Sequence, residues 1–223
     1  ARAHGLDADR NAVADARELL GKQMHTAKHI ESMDWREVPA FYQGLEVGNV
    51  VQVALQLLIL TGYRSKAILS YPDGIQPADT WTVPAPIVKG RKGKTTDFRI
   101  PLTAETWRII ERARAVARDG YLFPGQRKGV ISDASMARHM QRLGLKERPH
   151  GFRASFRTWA DEVTNAGWEI KETAIGHVVG STVSRAYQRT DFLDERRTLA
   201  ERWANHLKGE KGAVVPIRGQ GSE

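Results

Sequence analysis

The chain has 223 residues, no cysteine, a formal net charge of +8 and a pI near 9.9. That length suits one sizeable core with short appendages, and the absence of cysteine excludes disulfides and thiolate metal sites and fits a reducing compartment. The basic balance favours a polyanionic partner, while the longest apolar run, Val50 to Leu60, is too short to span a bilayer and is interrupted by Gln52 and Gln56. With no signal-peptide pattern at its start, the sequence reads as a soluble intracellular protein with no membrane partner.

Residues 1 to 22 read as a helix, with Asp7 or Asp9 as N-cap, Val13, Ala16 and Leu20 on one face, and Gly21 ending it. Lys22 to His29 is basic and lacks apolar periodicity, which suits a linker lying on a polyanion or a plain solvated connector. Asp34-Trp35-Arg36-Glu37 has capping-box spacing, and Val38, Phe41, Tyr42 and Leu45 then recur at helical intervals. Asn49 is placed to cap the next helix, which is apolar nearly all round and therefore belongs in the middle of a core. It ends at Thr61-Gly62, and Arg64 follows at once. Such an arginine either satisfies the last helix carbonyls or is held on a rigid mount to bind phosphate.

Thr80 to Val88 is β-rich, with Pro84 and Pro86 demoting it to an edge, and Asp97 to Leu102 returns with Phe98, Ile100 and Leu102 alternating. Between them, Gly90 to Lys94 forms a basic turn. Thr103 caps a helix running through Trp107, Ile110, Ala113 and Ala117 to Gly120. Tyr121 to Pro124 is a packed turn, and a helix bearing Met136, Met140 and Leu143 ends at Gly144. The fold class is mainly α with one small antiparallel β-hairpin or sheet.

The chemistry concentrates between His150 and Tyr187. His150 and Arg153 share a face of a helix start, opposite an apolar stripe of Phe152, Phe156, Trp159 and Val163. Arg157, on the same polar side, reads as a surface or phosphate-backbone contact. Trp168 to Ile175 makes a short helix closed by Gly176, with His177 just past its end. Arg185-Ala186-Tyr187-Gln188-Arg189 follows, and then Phe192, Leu199, Trp203 and Leu207 at helical spacing. Arginines hold phosphate bidentately, histidines move protons near neutral pH, and a tyrosine hydroxyl can form a covalent intermediate. Together these residues describe phosphoryl transfer without a metal or other cofactor.

The Thr-Gly-x-Arg corner at Arg64, His150-x-x-Arg153, Gly176-His177 and the later Tyr187 resemble, in order, the catalytic boxes of the tyrosine recombinases, the phage integrase family. The run from Ala186 to Arg197, followed by Trp203-Ala204, resembles the prophage and genomic-island branch of that family. The resemblance covers roughly residues 35 to 207. It implies a DNA breaking-and-rejoining catalytic-domain fold over residues 34–207, preceded at 1–33 by a helix and linker from an N-terminal core-binding domain and followed by a flexible tail at 208–223. The implied activity is site-specific recombination of double-stranded DNA at attachment sites, integrating or excising a prophage or other mobile element, through a 3′-phosphotyrosyl intermediate. By resemblance Tyr187 is the nucleophile, Arg64 and Arg153 clamp the phosphate with His177, His150 assists proton transfer, and a hairpin lysine protonates the leaving oxygen. Lys89, at the end of the first strand, is the choice for that lysine, with Lys92 and Lys94 as alternatives. A tetramer on DNA, a monomer without it, accessory directionality or DNA-bending proteins and a place at the bacterial nucleoid are also implied. One departure stands out: the family carries an acidic residue three positions after the first arginine, and this chain has Ala67. A type IB topoisomerase-like enzyme and a non-catalytic DNA-binding relative are the alternatives, and Ala67 is the best support for the latter.

Overall fold

The computed structural model describes residues 18–20, 31–46, 48–72, 79–90, 95–180 and 190–209. The expected helix over 1–22 and the basic linker thus lie almost wholly outside the described residues, as do Lys92, Lys94, Tyr187 and the tail beyond residue 209.

The arrangement is built on helix α2 (Val50–Thr61), in which every residue from Gln52 to Leu60 is buried. Asn49 caps it as its spacing implies, its side-chain oxygen accepting from the Val51 N–H at 3.0 Å. The two glutamines that interrupt the apolar run are buried because they serve the end of the preceding helix, α1 (Val38–Gln43). Gln56 Nε2 donates to the carbonyls of Tyr42 and Leu45, each at 3.4 Å, and Gln52 Oε1 accepts from the Glu46 N–H at 2.8 Å. Buried amides are tolerable when they pair with backbone groups left open at a helix end.

Around α2 pack α3 (Ser65–Leu69), α4 (Ala104–Arg114), α5 (Asp133–Arg142), α6 (Phe152–Val163) and α8 (Leu193–Lys208). Between α6 and α8 in the chain lies α7 (Trp168–Ala174), which packs on both. Strands β1 (Thr80–Val83) and β2 (Phe98–Pro101) form one antiparallel pair, with Thr80 opposite Pro101 and Val83 opposite Phe98, and β2 lies against α8. Among the described residues no helix is long and apolar enough to cross a membrane.

Several expectations hold and several need correction. Thr103 caps α4, accepting from the Thr106 N–H at 3.1 Å. The helix stops at Arg114, however, short of Ala117. The capping box at Asp34 is not made: Asp34 Oδ1 takes the Arg36 N–H at 2.8 Å in a local turn, and α1 starts at Val38 without a side-chain cap. Leu143 and Val163, read as core, are 56% and 42% exposed, because each falls at a helix end where the packed stripe has run out. The first strand stops at Val83, since Pro84 has no N–H to extend the ladder and 84–88 coils into a turn with the Ile87 N–H on the Pro84 carbonyl.

Helix α8 returns onto its own domain. Leu199, Trp203 and Leu207 are buried, and Trp203 Nε1 donates to the Ile59 carbonyl of α2 at 2.8 Å. Trp203 also meets Trp159 and Phe156 of α6 at ring separations of 4.9 and 5.5 Å.

Candidate active site

The site forms where the ends of α2, α6 and α7 meet. Gly62 ends α2 in the left-handed region, at φ 59°, and this turn sends the chain back so that Arg64 leads into α3. Arg64 does not satisfy the carbonyls of its own helix. Its Nη1 instead donates at 2.7 Å to the Gly176 carbonyl, 112 residues away. The position expected to be acidic, Ala67, is a buried residue of α3, so a backbone carbonyl takes the place of a carboxylate in holding Arg64.

Arg153 sits in the first turn of α6, and here the amphipathic reading is corrected. It was expected on the polar side, yet it is only 5% exposed, with Nη1 donating to the Gly62 carbonyl at 3.2 Å. Burial, reinforced by the positive charge of Arg64, pushes the Arg153 guanidinium down to about 10, so it stays protonated at neutral pH. Among the described residues neither Arg64 nor Arg153 forms an ion pair with a carboxylate. Two neighbouring cations, one buried, each tied to a single carbonyl, make a place that an anion would complete.

His150 lies on a 3-10 turn, Pro149–Gly151, directly before α6. Partial desolvation, then the charges of Arg153, Arg64 and Lys89, hold its imidazole below the usual histidine value. The ring is therefore neutral at pH 7 and able to accept a proton. Lys89 is exposed in the turn that follows β1, not at the strand end, and its influence on His150 puts its charge on this side of the molecule.

His177 follows α7 as its spacing implies. Gly176 turns the chain at φ 69°, and the His177 N–H returns to the Glu172 carbonyl at 3.0 Å. Glycine is required at 176 twice over, because a Cβ there would stand 2.2 Å from Tyr63 Cε2 and 3.1 Å from Arg64 Nη1. The His177 ring is tied through Nδ1 to Glu172 Oε2 at 2.6 Å. His150, Arg153 and His177 line one open cleft of about 340 Å³, together with Arg157 and Glu172. Arg157 is no free phosphate contact. It is held by Glu172 Oε1 at 2.7 Å and by Asp161.

Four of the six expected site residues, Arg64, His150, Arg153 and His177, thus come together, with Lys89 on the same side; Tyr187 lies outside the described residues. Two neighbours were not anticipated. Tyr63, fully buried, stacks on Phe98 at 4.7 Å and flanks Arg64. Glu172 was missed because it stands five residues before His177, a spacing that brings side chains together only when a left-handed glycine folds the helix end back. Downstream, Asp191 holds Arg99 at 2.5 Å and Arg196 at 2.9 Å, and Arg196 also donates to the Arg99 carbonyl at 2.7 Å. That clasp ties the start of α8 to β2.

No family model matches this chain. It is similar to the prophage integrase IntZ of Escherichia coli K12, with 29% identity over 208 residues, 89% of this chain and 50% of that protein. The prophage integrase IntA of the same organism is 27% identical over 168 residues, 72% of this chain and 39% of that protein. The chain therefore spans about half or less of the length of these curated relatives. Its fold is like that of a lambda integrase dimer bound to a COC′ core site, with a TM-score of 0.56 over 76% of this chain and 67% of that one, at 14% identity. The chain is thus a helical domain with a two-stranded sheet, similar over most of its length to proteins named prophage integrases and like a lambda integrase in fold.

Proposed function

We propose that the chain is the catalytic part of a site-specific DNA recombinase that integrates or excises a mobile element, as its prophage integrase relatives are named. The observation that carries this reading is the meeting of Arg64, Arg153, His150 and His177 from three separated chain segments, with both arginines lacking a carboxylate partner among the described residues. A phosphodiester is the ligand that such a pair of guanidinium groups fits, each fork able to hold non-bridging oxygens. A lambda integrase of like fold is bound to a DNA core site, which supports double-stranded DNA as the partner.

In the proposed reaction the Tyr187 hydroxyl attacks phosphorus and the bond from phosphorus to the 5′ oxygen breaks. The tyrosine proton passes to neutral His150, and Lys89 supplies a proton to the leaving 5′ oxygen. A 3′-phosphotyrosyl ester results, while Arg64, Arg153 and His177 stabilise the charge building on the non-bridging oxygens. Attack by a 5′ hydroxyl from a second duplex reverses these transfers and completes strand exchange. The ester keeps the energy of the original phosphodiester, so no nucleotide is consumed. Pairwise exchange calls for several protomers on DNA, in keeping with a tetramer, and accessory DNA-bending or directionality proteins fit the same scheme.

The test is a supercoiled plasmid carrying the two end sequences of the element. Resolution into two circles is expected. Relaxation without exchange would instead favour a topoisomerase-like enzyme, and binding without either would favour a non-catalytic relative.

A further inference from the structure

Two charged side chains in the cleft, Glu172 and Arg157, have no part in the scheme above. Glu172 lies in the last turn of α7, half-buried, with its two oxygens used separately. Oε2 meets His177 Nδ1 at 2.6 Å and Oε1 takes Arg157 Nε at 2.7 Å. Arg157 is in turn paired with Asp161, which also holds Lys171 Nζ at 3.1 Å. Burial works to raise the Glu172 carboxyl, but the hydrogen bonds from His177 and Arg157 outweigh it and keep the group ionised below the usual range. An ionised carboxylate only accepts hydrogen bonds, so the hydrogen between the two groups must sit on Nδ1. Nε2 is then the ring nitrogen left for the cleft. Donation from it to a phosphate oxygen requires the doubly protonated ring.

We infer that Glu172 is a positioning residue, which through Nδ1 orients His177 and prepares Nε2 to donate to the scissile phosphate. Arg157 is its brace: anchored at Asp161, it stops the carboxylate from swinging away to solvent. This role rests on the recombinase reading for its chemical consequence but not for its geometry, so two kinds of measurement separate them.

The first is structural and uses the free protein. Nitrogen-15 NMR of the histidine rings, with His177 assigned through His177→Ala, should show hydrogen on Nδ1 in the parent. In Glu172→Gln that preference should be lost, because an amide can either accept or donate there. The second is single-turnover formation of a covalent adduct on a nicked suicide duplex. Glu172→Gln should keep its DNA affinity within about twofold while the adduct rate falls by about 10- to 100-fold, the usual range for a residue that orients a functional side chain. In a His177→Ala background the same substitution should change the remaining rate by less than about twofold, since its effect passes through the missing ring. Equal factors in both backgrounds, or an unchanged His177 tautomer in Glu172→Gln, would overturn the inference. Absence of any adduct from the parent protein would instead count against the recombinase reading, and the NMR comparison would still decide the pairing.

Discussion

Arg64 and Arg153 each spend one described bond on a backbone carbonyl, at Gly176 and Gly62, which leaves most of their five donors for a ligand. Arg153→Ala should therefore weaken DNA binding by about tenfold, or ~1.4 kcal/mol, and abolish adduct formation. Arg153→Lys should separate the two effects: charge is kept, so binding stays within about threefold, yet the planar fork is lost and cleavage falls by about 100-fold. Titration of binding by fluorescence anisotropy beside single-turnover cleavage checks both. His150 gives a pH signature whose sign follows from its environment. Its folded-state value is depressed, so above the unfolded value of about 6.5 the ring is neutral in both states. As pH falls below that value the unfolded chain takes the proton first and stability declines, until the folded ring is protonated too. Cleavage should fall over the same acidic range as the proton acceptor is filled, and His150→Ala should flatten that limb; an unchanged limb in the variant would remove His150 from the proton path. Gly176→Ala should lower stability by about 1–3 kcal/mol or more, through its positive φ and the collision with Tyr63, as thermal melting would report.

At the scale of elements, α8 carries the sharpest expectation. Trp203 fills a pocket among Phe156, Trp159 and Ile59 of its own domain. Trp203→Ala should thus cost about 3–5 kcal/mol in denaturant unfolding and reduce every activity together. Selective loss of protomer assembly with a normal melt would contradict that placement. The elements most legible in the sequence were those whose cause is local. Asn49 and Thr103 cap as their spacing implies, and the all-apolar run of α2 reads at once as central. What the period could not reveal was any relation made across the fold. Arg153 belongs to the polar side of α6 by pattern and is buried all the same, with its Nη1 on the Gly62 carbonyl at the end of α2. The substitute for the carboxylate missing at Ala67 was equally hidden, since backbone carbonyls carry no sequence signal. Glu172 left only its spacing, which becomes meaningful once Gly176 is known to take a positive φ.

Across the whole molecule the formal charge is +8, and among the described residues Arg64 and Arg153 at the candidate site form no ion pair with a carboxylate. Phosphate contacts should dominate binding, so log affinity should fall linearly with log salt, and Arg153→Ala should reduce the slope by about one. The proposed nucleophile at this site is Tyr187, and trapping it on a nicked suicide duplex bearing the element's end sequence tests that role directly. Mass spectrometry of the trapped complex should find the DNA on Tyr187, and Tyr187→Phe should bind that duplex within about twofold of the parent yet form no adduct, since the arginine pair is untouched. An adduct on Tyr63, Tyr42 or any other residue, or one that persists in Tyr187→Phe, would contradict it.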